Sequence, residues 1–229
     1  MAIQDVQLIS LTVRRGSVLA LDEVDARLPA AATTALTGAN GSGKSTLLDV
    51  LAGVLPLTGG RVSGLGSASI AYVPQHSAVT DDLPITVGET VAMGRWRDRG
   101  LLRRLRASDR AVVVESAERM GLGALLSAPL SRLSGGQRQR VLVAQGLACR
   151  ADILLVDEPT ASVDQVTREA LLDALDSEAA RGAIVVHATH DRLAIERSHA
   201  VLALEAGRVD RHSAVAVPRP QGERPVTVG

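Results

Sequence analysis

The stretch Gly38-Ala39-Asn40-Gly41-Ser42-Gly43-Lys44-Ser45-Thr46 fits the phosphate-loop pattern G-x-x-x-x-G-K-[ST] at Gly38, Gly43, Lys44 and Ser45. No other feature restricts the fold as tightly, because the pattern works only between a strand and a helix. Both flanks comply: Thr33–Thr37 is a short β-prone run, and Leu47, Leu48, Leu51 and Val54 recur at helical spacing. Glycines let successive backbone N–H groups curl around a phosphate, and the following helix start adds its positive dipole end. Lys44 is placed to reach the outer phosphates and Ser45 to ligate Mg²⁺. Lys44 is also the chain's only lysine, every other basic residue being arginine. The compact, flexible ammonium is kept where a planar fork would not serve.

With 229 residues the chain suits one large α/β domain with inserted subdomains. Hydrophobic residues make up 46% and aromatic ones 1%, with no Phe, so the core must be built from Leu, Val, Ile and Ala. Tyr72 and Trp96 are the only aromatics. A formal net charge of zero gives no global case for a nucleic-acid partner. Cys149 stands alone, which excludes an internal disulfide and suits a reducing cytoplasm. No apolar run approaches the ~20 residues that span a bilayer, and the N-terminus lacks an export signal, so a soluble, retained chain is expected.

In chain order, Val6–Val13 and Val18–Leu21, broken by Arg14-Arg15-Gly16-Ser17, read as a hairpin leading to the phosphate loop. Gly53, Pro56, Gly59 and Gly60 end the helix after the loop and return the chain to strand through Arg61–Val73. Tyr72-Val73-Pro74-Gln75 closes that strand, and from His76 to Arg150 the composition becomes helical and Arg-rich, a candidate insertion. Within it, Arg95–Arg110 reads as a solvated helical face, or as a contact for an acidic partner loop or lipid headgroups.

Three further stretches carry chemistry. Leu133-Ser134-Gly135-Gly136-Gln137 opens a helical run containing Val141, Leu142, Gln145 and Ala148, and a Ser-Gly-Gly turn there is a second possible anion cradle. Ile153-Leu154-Leu155-Val156-Asp157-Glu158-Pro159 reads as a buried strand ending in two acids at a crevice. Asp157 is placed to hold Mg²⁺ and Glu158 to polarise an attacking water. Ala183–His190 repeats the theme, with His190 the functional candidate and His187 expected inside. His76, His199 and His212 show no ligand spacing. Leu202–Val209 reads as a hairpin around Ala206-Gly207, and Pro218, Pro220 and Pro225 mark a mobile tail.

From about Val6 to Val209 these residues resemble the ATP-binding cassette (ABC) ATPases. Gly38–Thr46 looks like Walker A, Gln75 like the Q-loop glutamine and Leu133–Gln137 like the LSGGQ signature. Ile153–Glu158 looks like Walker B with its catalytic glutamate, Asp164 like the D-loop aspartate and His190 like the switch histidine. The resemblance implies an α/β P-loop NTPase fold: a RecA-like core with an antiparallel β subdomain (1–75 and 151–212), a helical insertion (76–150) and a flexible tail (213–229). It also implies ATP and Mg²⁺ as ligands, with Ser45, Gln75 and Asp157 around the metal. Two copies would dimerise head to tail, so that Ser134, Gly135, Gly136 and Gln137 of one copy face the phosphate loop of the other, with Asp164 nearby. The dimer would drive integral membrane permease subunits from the cytoplasmic face, served indirectly by an extracytoplasmic metal-binding protein.

Two departures stand out. The family's adenine-stacking aromatic aligns with Arg15; a guanidinium can also stack on a base, so ATP binding with weak base discrimination is expected. The D-loop reads Ala161-Ser162-Val163-Asp164 where Ser-Ala-Leu-Asp is commoner. Leu83-Pro84-Ile85-Thr86-Val87 and Val91-Ala92-Met93-Gly94-Arg95 resemble the ATPases of zinc, manganese and iron(II) importers, and Val143–Ala148 tilts toward zinc. The competing readings are an ATPase for another substrate such as an iron chelate, an exporter subunit, and a non-transport ABC protein of ribosomes or chromosomes.

Overall fold

The computed structural model describes residues 3–75, 84–99, 104–159 and 164–210. The expected tail, His76, His212 and Ala161-Ser162-Val163 lie outside the described residues.

Strands β1 (Val6–Arg15) and β2 (Val18–Leu28) form the expected hairpin. Its turn is only Gly16-Ser17, since Arg15 pairs with Val18 and Arg14 with Leu19. Val6, Leu8, Leu11 and Val13 of β1 are buried, and the three-residue step from Leu8 to Leu11 breaks the period of two. A register shift between those residues absorbs the extra one, which keeps both apolar pairs on one face. The chain then forms β3 (Ala32–Thr37), α1 (Lys44–Leu51), β4 (Gly59–Ser63) and β5 (Ile70–Val73). The single return strand expected over Arg61–Val73 is therefore two strands in two sheets: β4 pairs antiparallel with β1, and β5 runs parallel to a later strand. The turn at Leu65–Ala68, closed by the Ala68 N–H donating to the Leu65 carbonyl (2.8 Å), separates them, and long-range pairing rather than local propensity assigns each half its sheet.

The helical segment contributes α2 (Val87–Ala92), α3 (Trp96–Arg99), α4 (Ala107–Arg119) and α5 (Gly135–Ala148). Its arginine stretch is not wholly a solvated face. Arg95 turns inward, donating to the Ala148 carbonyl at 3.0 Å and pairing with buried Asp109 at 3.3 Å. That pair ties three helical pieces together, a reason to pair rather than expose the charge. Trp96, part of the same stretch, is 39% exposed.

The chain ends in β6 (Ile153–Asp157), α6 (Gln165–Ala180), β7 (Ile184–Ala188), α7 (Arg192–Arg197), β8 (Ala200–Glu205) and β9 (Arg208–Val209). The large sheet runs β5-β6-β7-β3-β8-β9, parallel except for the terminal β8–β9 hairpin. Both of its faces are covered, which is why β6 and β7 read as unbroken apolar runs. Ile153, Leu155, Ile184 and Val186 face the core shared with β1, β2 and α1. Leu154, Val156 and Val185 face the other core, which continues into α2, α4, α5 and α6. The helical segment thus packs on the same sheet that carries the phosphate loop. Among the described residues no helix is long and apolar enough to cross a membrane.

Candidate active site

Three parallel strands deliver polar residues to one edge of the sheet, where crevices form in such folds. The phosphate loop follows β3, Asp157 and Glu158 end and follow β6, and Thr189-His190 follow β7. The register makes these exits level. Leu36 and Asp157 both pair with Ala188, Thr189 N–H donates to the Leu36 carbonyl (3.0 Å), and Glu158 N–H donates to the Ala188 carbonyl (3.1 Å). Val73 pairs with Val156, so Gln75, two residues beyond β5, arrives beside Glu158.

The loop itself can exist only with glycine at Gly38. Its φ is +140°, and a Cβ there would lie 2.1 Å from the Leu204 carbonyl oxygen. Lys44 Nζ folds back to donate to the Gly38 and Ala39 carbonyls at 2.8 and 3.0 Å. The start of α1 has no side-chain cap and no acid in its first turn, so its backbone donors stay available for an anion. Ser42 Oγ is buried without a partner among the described residues, a costly arrangement that a phosphate oxygen would relieve. Ala39 through Thr46 complete the loop, which borders a cavity of about 710 Å³. Gln75 and Glu158 also line it, as do Arg15, Val18 and Leu19 of the hairpin.

Electrostatics at the cavity favour a cation. Burial pushes the Asp157 carboxyl up from its ordinary value, the Glu158 and Asp49 charges push the same way, and the Ser45 hydroxyl and Lys44 oppose them. Crowded hard oxygens around one ammonium suit Mg²⁺, whose charge would offset that repulsion. Glu158 sits at φ +46°, uncommon for a residue with a Cβ, and its Oε2 accepts from Gln75 Nε2 at 2.7 Å. The chain at Glu158 is thereby turned out of the sheet.

His190 is exposed and makes no hydrogen bond with the described residues. Its neighbour Asp191 is fixed, capping α7 through the Ala194 N–H (3.1 Å) and pairing with Arg168 (3.0 Å). His187 lies inside as expected, 2.9 Å from Ser198 Oγ, with burial pushing its pKa down to about 4.

Ser134, Gly135, Gly136 and Gln137 do not line this cavity. They open α5, with Ser134 and Gly135 exposed. Ser134 Oγ accepts from Gln137 N–H (3.3 Å) while Gln137 Oε1 accepts from Ser134 N–H (2.9 Å), a capping box. Asp164 caps α6, accepting from the Thr167 N–H (2.8 Å) and hydroxyl (3.0 Å). Sequence reasoning missed Asp49. It lies one turn beyond Ser45 on α1, and its carboxylate is shared by Arg15 and Tyr72. The i, i+4 spacing from Ser45 was the available signal.

A phosphate loop joining a strand to a helix in a mainly parallel sheet, with an acid pair ending a strand two places away, defines a P-loop nucleoside-triphosphate hydrolase. Comparison with known proteins narrows the class. Residues 6–161 match the ABC transporter family. The chain is 39% identical over 192 residues to the zinc transport system ATP-binding protein TroB of Treponema pallidum, covering 81% of this chain and 72% of that one. It is 33% identical over 192 residues to the manganese transport system ATP-binding protein MntB of Bacillus subtilis, covering 81% and 77%. The ATP-binding cassette MJ0796, solved as a dimer in a post-hydrolysis state with ADP and Pi, matches with a TM-score of 0.78 at 25% identity over 90% of this chain and 97% of that one. The chain belongs to the ABC transporter family and is an ATP-hydrolysing cassette.

Proposed function

We propose that the chain is the ATPase subunit of an importer for a divalent metal ion, zinc before manganese or an iron chelate. In this reading it acts as a head-to-tail pair of copies on the cytoplasmic face of membrane permease subunits. The carrying observation is a division of labour within one chain. The phosphate loop, Gln75 and Glu158 share one cavity, while Ser134–Gln137 lie outside it, Ser134 and Gly135 exposed, and need a second copy to reach a nucleotide. The likeness to zinc and manganese transport proteins supports the cargo.

The roles follow from chemistry. The backbone of Gly38–Thr46 and Lys44 hold the triphosphate, and Arg15 offers its guanidinium plane to the base. Ser45, Gln75 and Asp157 would hold Mg²⁺, which supplies charge neutralisation on the outer phosphates. Glu158 orients a water and takes its proton as the oxygen bonds to the γ-phosphorus, and the β–γ bridging bond breaks toward ADP. His190 donates to a γ-phosphate oxygen. Ser134 and Gln137 of the second copy, with Asp164 at the junction, close over the same phosphate. Closure is stabilised while ATP bridges the copies and is lost on cleavage.

Replacing Glu158 with Gln in the chromosomal copy tests this. Hydrolysis should cease, the purified chain should accumulate as an ATP-bound dimer, and uptake of radiolabelled zinc should fall more than that of manganese. A hydrolysing, monomeric variant would sink Glu158 as base, and unchanged zinc uptake would sink the cargo.

A further inference from the structure

Asp49 touches no ligand in the chemistry above, yet its carboxylate joins Arg15, which lines the cavity, to Tyr72 on β5 of the large sheet. One carboxylate oxygen pairs with Nη2 of Arg15, across 34 residues of sequence, and the other accepts from the Tyr72 hydroxyl at 3.1 Å. Asp49 is 19% exposed and Arg15 49%, so the anchor is largely covered while the guanidinium keeps a free face. Arg15 borders the cavity beside Val18 and Leu19. With the triphosphate on the loop, this hairpin wall is the surface left for the base. Burial and the charges of Asp49 and Asp157 raise the Tyr72 pKa, so the phenol keeps its proton and stays a donor.

We propose that Asp49, held by Tyr72, is a positioning residue that fixes the Arg15 guanidinium as the platform for the nucleobase. The inference rests on the reading of Arg15 given above. A long arginine left free costs rotamer entropy to order when the base arrives. Tied at one edge, it presents its plane in advance, and stacking then costs less. The tie also neutralises Arg15. Without Asp49, an unpaired arginine would stand beside a polyanion and be drawn to the phosphates instead. A platform that contributes a face and no hydrogen-bonding edge accepts adenine and guanine alike, which gives the weak base discrimination expected from the sequence a structural basis.

The measurement is calorimetric binding of ATP, GTP and inorganic tripolyphosphate to the full chain and to Arg15→Ala, Asp49→Asn, Tyr72→Phe and the Arg15→Ala/Asp49→Asn double variant. The ratio of the tripolyphosphate Kd to the ATP Kd isolates the nucleoside, and its change between variants reads the contact with the base. Arg15→Ala and Asp49→Asn should each cut that ratio by about tenfold, the double variant no further, and Tyr72→Phe by about threefold. Tripolyphosphate should bind Asp49→Asn at least as tightly as it binds the natural chain, a result that a merely damaged α1 would not give. Loss of ATP and tripolyphosphate affinity in equal proportion in both Asp49→Asn and Tyr72→Phe would overturn the proposal. So would an unchanged ratio in Asp49→Asn alongside a lowered one in Arg15→Ala. An unchanged ratio in Arg15→Ala would instead remove the reading of Arg15 as platform, and failure of the natural chain to bind ATP would remove the cassette reading itself.

Discussion

Two glycine-rich turns in this chain open helices, and they solve the same problem in opposite ways. Every helix start leaves backbone N–H groups without intrahelical partners. At α5 the chain itself supplies partners for two of them, through the reciprocal bonds of Ser134 and Gln137. At α1 it supplies none: Gly43 sits at the cap position in left-handed geometry, no side chain caps it, and Lys44 adds a positive charge. The α1 start leaves all of its donors to an outside anion, whereas α5 satisfies those of Ser134 and Gln137 and leaves only those of Gly135 and Gly136 to a further partner. In the proposed reading, nucleotide affinity therefore belongs to α1. The α5 turn can only add contacts to a phosphate already held, which is what a second copy closing over the site would do.

The same substitution in both turns should break that symmetry most sharply. Gly43 has φ +108°, and a Cβ would lie 2.8 Å from both the Ala20 carbonyl oxygen and a Leu21 methyl. Gly43→Ala should cost about 3 kcal/mol of stability and reduce ATP affinity tenfold or more. Nothing lies within 4 Å of the corresponding position at Gly135. Gly135→Ala should leave stability within about 0.5 kcal/mol of the natural value, or raise it, and leave ATP affinity of the monomer unchanged. Thermal melts and titrations of the two variants check both. Equal losses would mean that the turns are not divided as described.

A subtler replacement separates capping from phosphate contact. Aspartate caps as well as serine and its charge suits a helix N-terminus, so Ser134→Asp should fold normally and bind ATP as a monomer with ordinary affinity. In the proposed pair the same carboxylate would face the other copy's γ-phosphate and repel it, and turnover should fall by about a hundredfold. Steady-state hydrolysis at saturating ATP reads the effect, and full turnover would remove α5 from the catalytic site.

What was legible in the sequence follows the range of the interactions involved. The phosphate loop, the buried run of β6 and the opening of α5 are local patterns, and the structure places them where those patterns put them. The division of Arg61–Val73 was not legible, because both halves are equally β-prone and only β1 and β6 decide which sheet each joins. Arg95 read as surface charge because its partner Asp109 and the α5 carbonyl it reaches are distant in sequence. The Arg15–Asp49–Tyr72 cluster failed for the same reason. The composition showed that an aromatic was missing before Tyr72, but only the fold brings a carboxylate from α1 to the arginine in its place.

The smallest expected effect is also the most discriminating. Ser134→Ala removes one hydroxyl that has two uses: it closes the α5 cap in each copy, and in the proposed pair it donates to the other copy's phosphate. Loss of a cap costs about 1 kcal/mol, and it should appear in the melt of the monomer, without nucleotide and at any protein concentration. Loss of one donor to a charged phosphate in a water-poor interface costs a further ~2 kcal/mol, but only in the closed pair, lowering turnover about thirtyfold. The two readouts separate because the first depends on one chain and the second on two. Mixing Ser134→Ala with a Glu158→Gln chain then sorts the sites. The active Glu158 lies in the Ser134→Ala chain and draws its signature from the Glu158→Gln partner, whose Ser134 is intact. That site should cleave its first ATP at the natural rate in a single-turnover measurement, whereas contact within one chain would leave it slow.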